Sequence, residues 1–343
     1  MDDITIKHRQ HYVFQAYLKN WAINDQIWCC RNRNKVFLTN TVNIAQERDF
    51  YRLKELNIDE YRFILLLISR QPSHVVDIVK KQIALYHRPI YWQQKVLKTN
   101  SLIKTLFGEA IINHPEIEEI LSFTEKFAES TVNDMVEDIY CVDEGIATKV
   151  FEKIKDGNLD FYYNPTDSTR NDFDNTKRSF LNFLCSQYYR TKAMKKRWES
   201  GMSAALNEEI CNGLKINKDN IRLDHLSFHL FWYIEAQLTD SLYNRNAHLT
   251  LLYNNTDIPF ITSDQPIINT LAKYDDLQSK VSNLIFYYPI TPQIALTVND
   301  NNVSDRIELT VEDVNHYNQL MCDASYELLF AFDRKQIMQY KTT

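Results

Sequence analysis

His11, Gln15 and Lys19 stand four residues apart. On a helix they form one polar line beside an apolar stripe of Val13, Ala16, Tyr17 and Trp21. An imidazole next to an amide and an ammonium can bind an anion, or serve as acid or base near neutral pH. The structural alternative is a histidine near a helix start that only satisfies backbone groups. His8 lies three residues before His11. HxxH can ligate a metal, but no carboxylate stands at a matching spacing, and no metal site is expected from this pair.

Two further segments carry comparable groups. In a helix expected over 174–198, Phe183, Gln187, Arg190 and Met194 step by four, three and four onto the stripe that Phe180, Leu184 and Tyr188 mark as buried. A guanidinium on a core-facing stripe needs a partner. It is either an anion clamp at the bottom of a cleft or one half of an ion pair with an internal carboxylate. Phe260-Ile261 then lead into Thr262-Ser263-Asp264-Gln265-Pro266, a strand ending in a polar turn. Asp264 there could orient His11, accept from Arg190, hold a metal, or cap backbone amides. Ser263 is not set in a GxSxG elbow. His225 and His229 have metal spacing without the HExxH glutamate, and their apolar neighbours favour core histidines. GxGxxG and GxxxxGK[ST] are both missing, which argues against a Gly-rich phosphate loop.

Composition narrows the classes these groups can serve. With 343 residues and 44% hydrophobic content, the chain can bury a large core. Only 5 Gly and 8 Pro argue against a turn-rich all-β fold. A net charge of −6 argues against a broad nucleic-acid surface, while leaving room for a local basic pocket. The six cysteines include no CxxC pair and read as free thiols of a reducing, cytoplasmic compartment. The acidic, polar N-terminus has no secretory h-region, and no apolar run approaches a membrane span.

The elements that must position the candidates follow from periodicity. A hairpin is expected from Gln26–Cys30 and Lys35–Thr39, a helix from Ile58 capped by Asn57 and Glu60, and helical structure throughout 73–156. Turn chemistry at 157–172 marks an internal boundary. Helices at 201–213 and 222–244 precede strands near 248–254, 259–263, 284–290 and 293–298. A helix capped by Thr310 and a strand at 325–332 close the chain. The expected fold is α+β and predominantly helical. It is one large domain over 1–343, with a helical insertion at 58–156, a β-rich part at 246–343, and one small sheet formed by the N-terminal hairpin and the C-terminal strands.

In this order the residues resemble a bacterial family, the domain of unknown function DUF4238. His11-Tyr12-Val13, Gln15, Tyr17-Leu18, Asn20 and Trp21 are similar to its HYVPQxYLxxF start. Asp49-Phe50-Tyr51, Gln187 with Arg190-Thr191, Phe260 through Pro266, Pro289-Ile290-Thr291-Pro292, and Asn315 with Asn318 follow as its later landmarks. Phe14 stands where the family commonly has Pro, and Lys192 where it commonly continues Arg-Thr-Pro; neither change removes a titratable group. The resemblance implies a shared fold and shared polar positions, and names no reaction. Families of this kind often sit among bacterial toxin and phage-defence genes, and by that association, not by any residue, an effector-type nuclease is the leading expectation, acting on RNA or nucleotide phosphodiesters. His11 would be the acid/base, Arg190 the anion stabiliser, Gln15 and Gln187 the orienting groups and Asp264 a positioning group, with His8, Lys19, Thr262 and Ser263 on the substrate. No cofactor is expected, with a divalent metal at Asp264 as the variant. The alternative is a sensor or binding module for a small anion or a partner protein, such as an antitoxin. The oligomeric state is left open.

Overall fold

Asn57 and Thr310 each open a helix with a reciprocal cap. The Asn57 side chain accepts from the Asp59 and Glu60 amides while Glu60 returns to the Asn57 amide, and Thr310 pairs with Asp313 in the same way. Such local signals place most elements of the computed structural model, which describes residues 4–163, 170–274, 281, 283–300 and 304–342, with only the backbone described at 112, 170–176 and 205. The chain is 58% helical with 15% strand, an α+β fold dominated by helices. It divides into two compact units, each assembled from separated stretches: one from residues up to 10, 47–141 and 206–230, the other from 11–46, 142–205 and 231–343.

The first unit is helical. It holds helices Ile58–Leu67 and Ser73–Asn113, and the part of Pro115–Lys155 up to Cys141. Tyr51, Leu53, Tyr86, Ile90, Val132 and Val136 form its core cluster. Glu60 is fully buried there, yet its carboxyl is held below the ordinary range: burial pushes it up, and the Arg222 guanidinium and the Asn57 and Arg222 amides more than offset that.

The second unit contains two sheets where the sequence predicts one. Gln26–Arg31 and Lys35–Asn40 form the expected hairpin. Its turn residues Asn32 and Arg33 both take φ 51°, the left-handed pair whose twist suits a hairpin. Leu328–Ala331 pairs antiparallel with Gln26–Arg31 on one side and with Thr262–Ser263 on the other, so the C-terminal strands do join the hairpin. The remaining strands make a separate five-stranded sheet in the order Arg306–Glu308, His248–Tyr253, Ile294–Asn299, Phe286–Pro289, Ile268–Asn269. The short strands at 262–263 and 268–269 send the chain from one sheet to the other across the turn at Asp264, which period-2 reading cannot foresee.

Two helix expectations also change. The segment around His11, Gln15 and Lys19, read from its spacing as one short helix over 12–22, holds a single turn, Gln15–Leu18, followed by the 3-10 turn Lys19–Trp21, so the polar line does not ride on one helix. The helix predicted over 174–198 is two, Arg170–Tyr189 and Lys192–Ala205, with Arg190 and Thr191 at the break. The Thr191 hydroxyl accepts the Met194 amide at 3.3 Å, capping the second helix. At the end of Pro115–Lys155, Gly157 has φ +68°, and a Cβ there would meet the Tyr253 hydroxyl at 2.7 Å. Of the turn-rich segment expected at 157–172, residues 164–169 lie outside the described residues, and the rest includes the short helix Asp160–Tyr163 and the start of the helix from Arg170.

Candidate functional site

The segments singled out in the sequence do converge in the second unit, and they do so by bonding to one another. Gln187 is fully buried. Its carbonyl oxygen accepts from the Phe14 amide at 3.2 Å and from the Arg190 guanidinium at 2.7 Å, and its amide nitrogen donates to the Tyr12 carbonyl at 3.0 Å. Arg190 donates at 2.5 Å to Glu144, so its burial is matched by an internal carboxylate. The Tyr17 hydroxyl and Thr262 Oγ1 lie 2.5 Å apart, and the Trp21 indole donates to the Phe260 carbonyl at 3.0 Å. Gln265 donates to the carbonyls of Tyr188 and Ile267 at 3.1 and 2.7 Å and accepts from the Thr191 hydroxyl. Asn318 clamps the strand that precedes it, accepting from Ile261 and donating to Pro259.

Asp264 is the most decisive of these groups. Its carboxylate accepts from the backbone amides of Tyr326, Glu327 and Leu328 at 2.9, 2.8 and 3.0 Å. It is a cap for the start of the neighbouring strand, and does not reach toward Arg190 as the sequence reading allowed. Burial pushes it up to about 6, against the pull of those three amides. Ser263 folds back in the same manner, exchanging bonds with the Gln265 backbone at 3.0 Å each way. Gln15 is half-buried and donates to Thr41 at 3.5 Å, and Lys19 forms an exposed pair with Asp25. His11 is half-buried at the start of this segment. His8 belongs to the other unit, where its Nδ1 lies 2.6 Å from Asp49. The nine residues therefore do not form one open reaction centre. Gln187, Arg190, Thr262, Ser263 and Asp264 are each taken up by internal hydrogen bonds, and His8 and Lys19 each have a local carboxylate neighbour.

His229 is likewise a core histidine of the first unit. It is packed against Tyr86, Phe228 and His87, and burial lowers its imidazole to about 4. Among the described residues no group of three or more His, Cys, Asp or Glu is arranged to hold a metal ion, and no described helix is long and apolar enough to cross a membrane.

Sequence reasoning passed over a different cluster beside Arg190. Glu235 lies on the helix Leu223–Asn244 and is 3% exposed. Its Oε1 has no hydrogen-bond partner among the described residues. Burial pushes this carboxyl up to about 8, with Arg190 pulling it down and Asp143 pushing it further up. Asp143 is also raised, again by burial, against the Arg190 charge and a 2.9 Å bond from the Asn182 amide. Asp143 and Asn182 line a small open cleft of about 230 Å³ with Arg178, Ser179, Ala236, Thr239 and Asp240, and Arg178 is paired with Asp240 at the cleft. Glu235 does not itself line the cleft; it precedes Ala236 and stands one helical turn from Thr239, both of which do. A signal for it existed: Ser227, Phe231, Glu235 and Thr239 step by four along a buried stripe, the same pattern that marked Arg190.

Two carboxyl groups raised by burial, the Arg190 guanidinium pulling against both shifts, and a cleft lined by hydroxyl and amide groups can move protons on a bound polar molecule. Similarity searches give no curated protein and no solved structure that matches the chain. The family model described as protein of unknown function, DUF4238, matches residues 9–335, nearly the whole length, and the chain belongs to that family.

Proposed function

We propose that this protein is a hydrolase whose proton donor is Glu235 and whose base is Asp143, acting on a glycosidic bond of a sugar or nucleoside. One observation carries the reading: a fully buried carboxyl with an unpartnered oxygen among the described residues shares its helix with Ala236 and Thr239, which line a cleft together with a second raised carboxyl. At neutral pH Glu235 holds its proton and can deliver it to the leaving oxygen or nitrogen. Asp143, raised by burial against the pull of the Arg190 charge and the Asn182 amide and so strengthened as a base, takes a proton from water as the water oxygen bonds to the anomeric carbon and the glycosidic bond breaks. Ser179, Asn182 and Thr239 suit a hydroxyl-rich ring.

A phosphodiester is the poorer fit for this cleft. Arg178 and Arg190 are each committed to a carboxylate, and Asp143 and Asp240 add carboxyl groups to the lining. The decisive experiment offers the purified protein nucleosides, nucleotides, oligosaccharides and RNA, and follows free base, reducing sugar and strand breaks by chromatography and mass spectrometry. Release of base or sugar that disappears in Glu235→Gln and Asp143→Asn supports the proposal. RNA cleavage that survives Glu235→Gln and is lost in His11→Ala returns the phosphodiesterase reading. Thermal stabilisation by a nucleoside or sugar without turnover makes the cleft a sensor site. A role as an effector in toxin or phage-defence systems is tested separately, by growth arrest on expression of wild type against Glu235→Gln.

A further inference from the structure

The first unit carries an apolar stripe that its own core does not use. On the helix Ser73–Asn113, Val79, Ile83, Tyr86 and Ile90 turn inward, while Ile78, Leu85 and Trp92 repeat at intervals of seven on an adjoining face, and Leu106 continues the series two heptads on. They are 49%, 45%, 38% and 64% exposed. On the next helix, Ile120 and Phe127 are also seven apart, at 46% and 50% exposure. The Trp92 and Phe127 rings meet edge to face at 5.5 Å, and the Asn100 amide donates to the Leu121 carbonyl at 2.9 Å, so the two helices run antiparallel and both stripes border the same side. From Trp92 to Leu106 the face extends about 21 Å at 1.5 Å per residue.

Charge decides what can cover it. Residues 73–113 carry six Lys or Arg against two Asp or Glu, whereas 115–140 carry eight Asp or Glu against one Lys. Lys81, Arg88 and Lys95 repeat in step with the apolar stripe and are exposed, while Glu116 and Glu119 flank Ile120. A basic face repels a copy of itself. Across a two-fold axis the basic helix of one copy can lie on the acidic helix of the other, and the same contact is made twice. We propose that this helical hairpin is a self-association surface that takes a second copy of this chain, the helix Ser73–Asn113 of each protomer packing along the 115–140 stretch of its partner.

Sedimentation of the full chain from low to high micromolar concentration tests this. Wild type is expected to be dimeric, more weakly so at high salt. Trp92→Ser with Leu106→Ser, and Ile120→Ser with Phe127→Ser, are each expected to weaken association by about tenfold or more. Because the Trp92 and Phe127 rings also pack on each other within one protomer, Leu106→Ser with Ile120→Ser is the pair expected to weaken association with the thermal midpoint unchanged. A variant with Lys81→Glu, Arg88→Glu and Lys95→Glu should be monomeric alone, as should one with Glu116→Lys and Glu119→Lys, and mixing the two should restore a heterodimer. A wild type that stays monomeric, a dimer that survives the serine pairs, or charge variants that fail to pair on mixing each overturns the proposal. So does a monomer whose Trp92 fluorescence changes only on lipid vesicles.

Discussion

Asp264 and Glu235 are both fully buried carboxyls of the same unit, and they are held in opposite ways. Asp264 receives three backbone amides and is pushed up only to about 6; Glu235 is pushed up to about 8 with one oxygen unpartnered among the described residues. Equal burial with unequal hydrogen bonding separates a carboxylate that fastens two strands from a carboxylic acid that carries a transferable proton. The conspicuous motif residue is the structural one, and the plain helical glutamate is the better chemical candidate.

That contrast can be broken in several ways, and the largest effect is on turnover. Glu235→Gln keeps the shape and the neutral state while removing the proton, so hydrolysis should fall by about 100-fold or more while the fold is retained. A variant with undiminished activity would sink the assignment. The same substitution should flatten the pH dependence of stability. The proton of Glu235 is held more tightly in the fold than in the unfolded chain, so its contribution is full below the ordinary value of 4.5 and is lost as pH rises through about 8. Over that window wild type should lose on the order of 4 kcal/mol relative to Glu235→Gln in urea titrations.

Asp264→Ala should act on stability alone. It strands three backbone amides, one buried and two partly so, a loss of about 3 kcal/mol, measured by urea unfolding at neutral pH. The Asp264 contribution also runs downward with pH, full below 3.8 and lost as pH rises through about 6. Arg190→Ala leaves Glu144 and Gln187 without their shared donor and should cost about 3 kcal/mol. It should also raise Glu235 further, which shifts any activity profile to higher pH. Gln187→Ala frees the Tyr12 carbonyl and the Phe14 amide and should cost about 2 kcal/mol without changing that profile. The smallest effect belongs to Lys19→Ala, an exposed pair worth at most about 1 kcal/mol. A large loss of substrate affinity there would restore the N-terminal segment as a binding surface.

Much of the architecture was readable from local chemistry. The Asn57 and Thr310 caps, the hairpin with its Asn32-Arg33 turn, and the helical character of 73–155 all follow from side chains acting on nearby backbone. The break at Arg190-Thr191 was not readable, because helical spacing continues through it and the Thr191 cap is visible only once the second helix starts at Lys192. The candidate site was half readable. Arg190 on a buried stripe demanded a partner, and the sequence could offer many carboxylates, with Glu144 chosen only by packing.

The sequence by itself determined the family, the helical α+β character and the set of polar groups that had to be buried, because composition, periodicity and caps act over a few residues. Only the tertiary structure decided what those groups do. Whether a buried carboxyl is a cap or an acid depends on which amides, guanidiniums and empty space surround it. For Asp264 those neighbours come from 62 to 64 residues away, and for Glu235 they come from Asp143 on another helix and Arg190 at a break between two more.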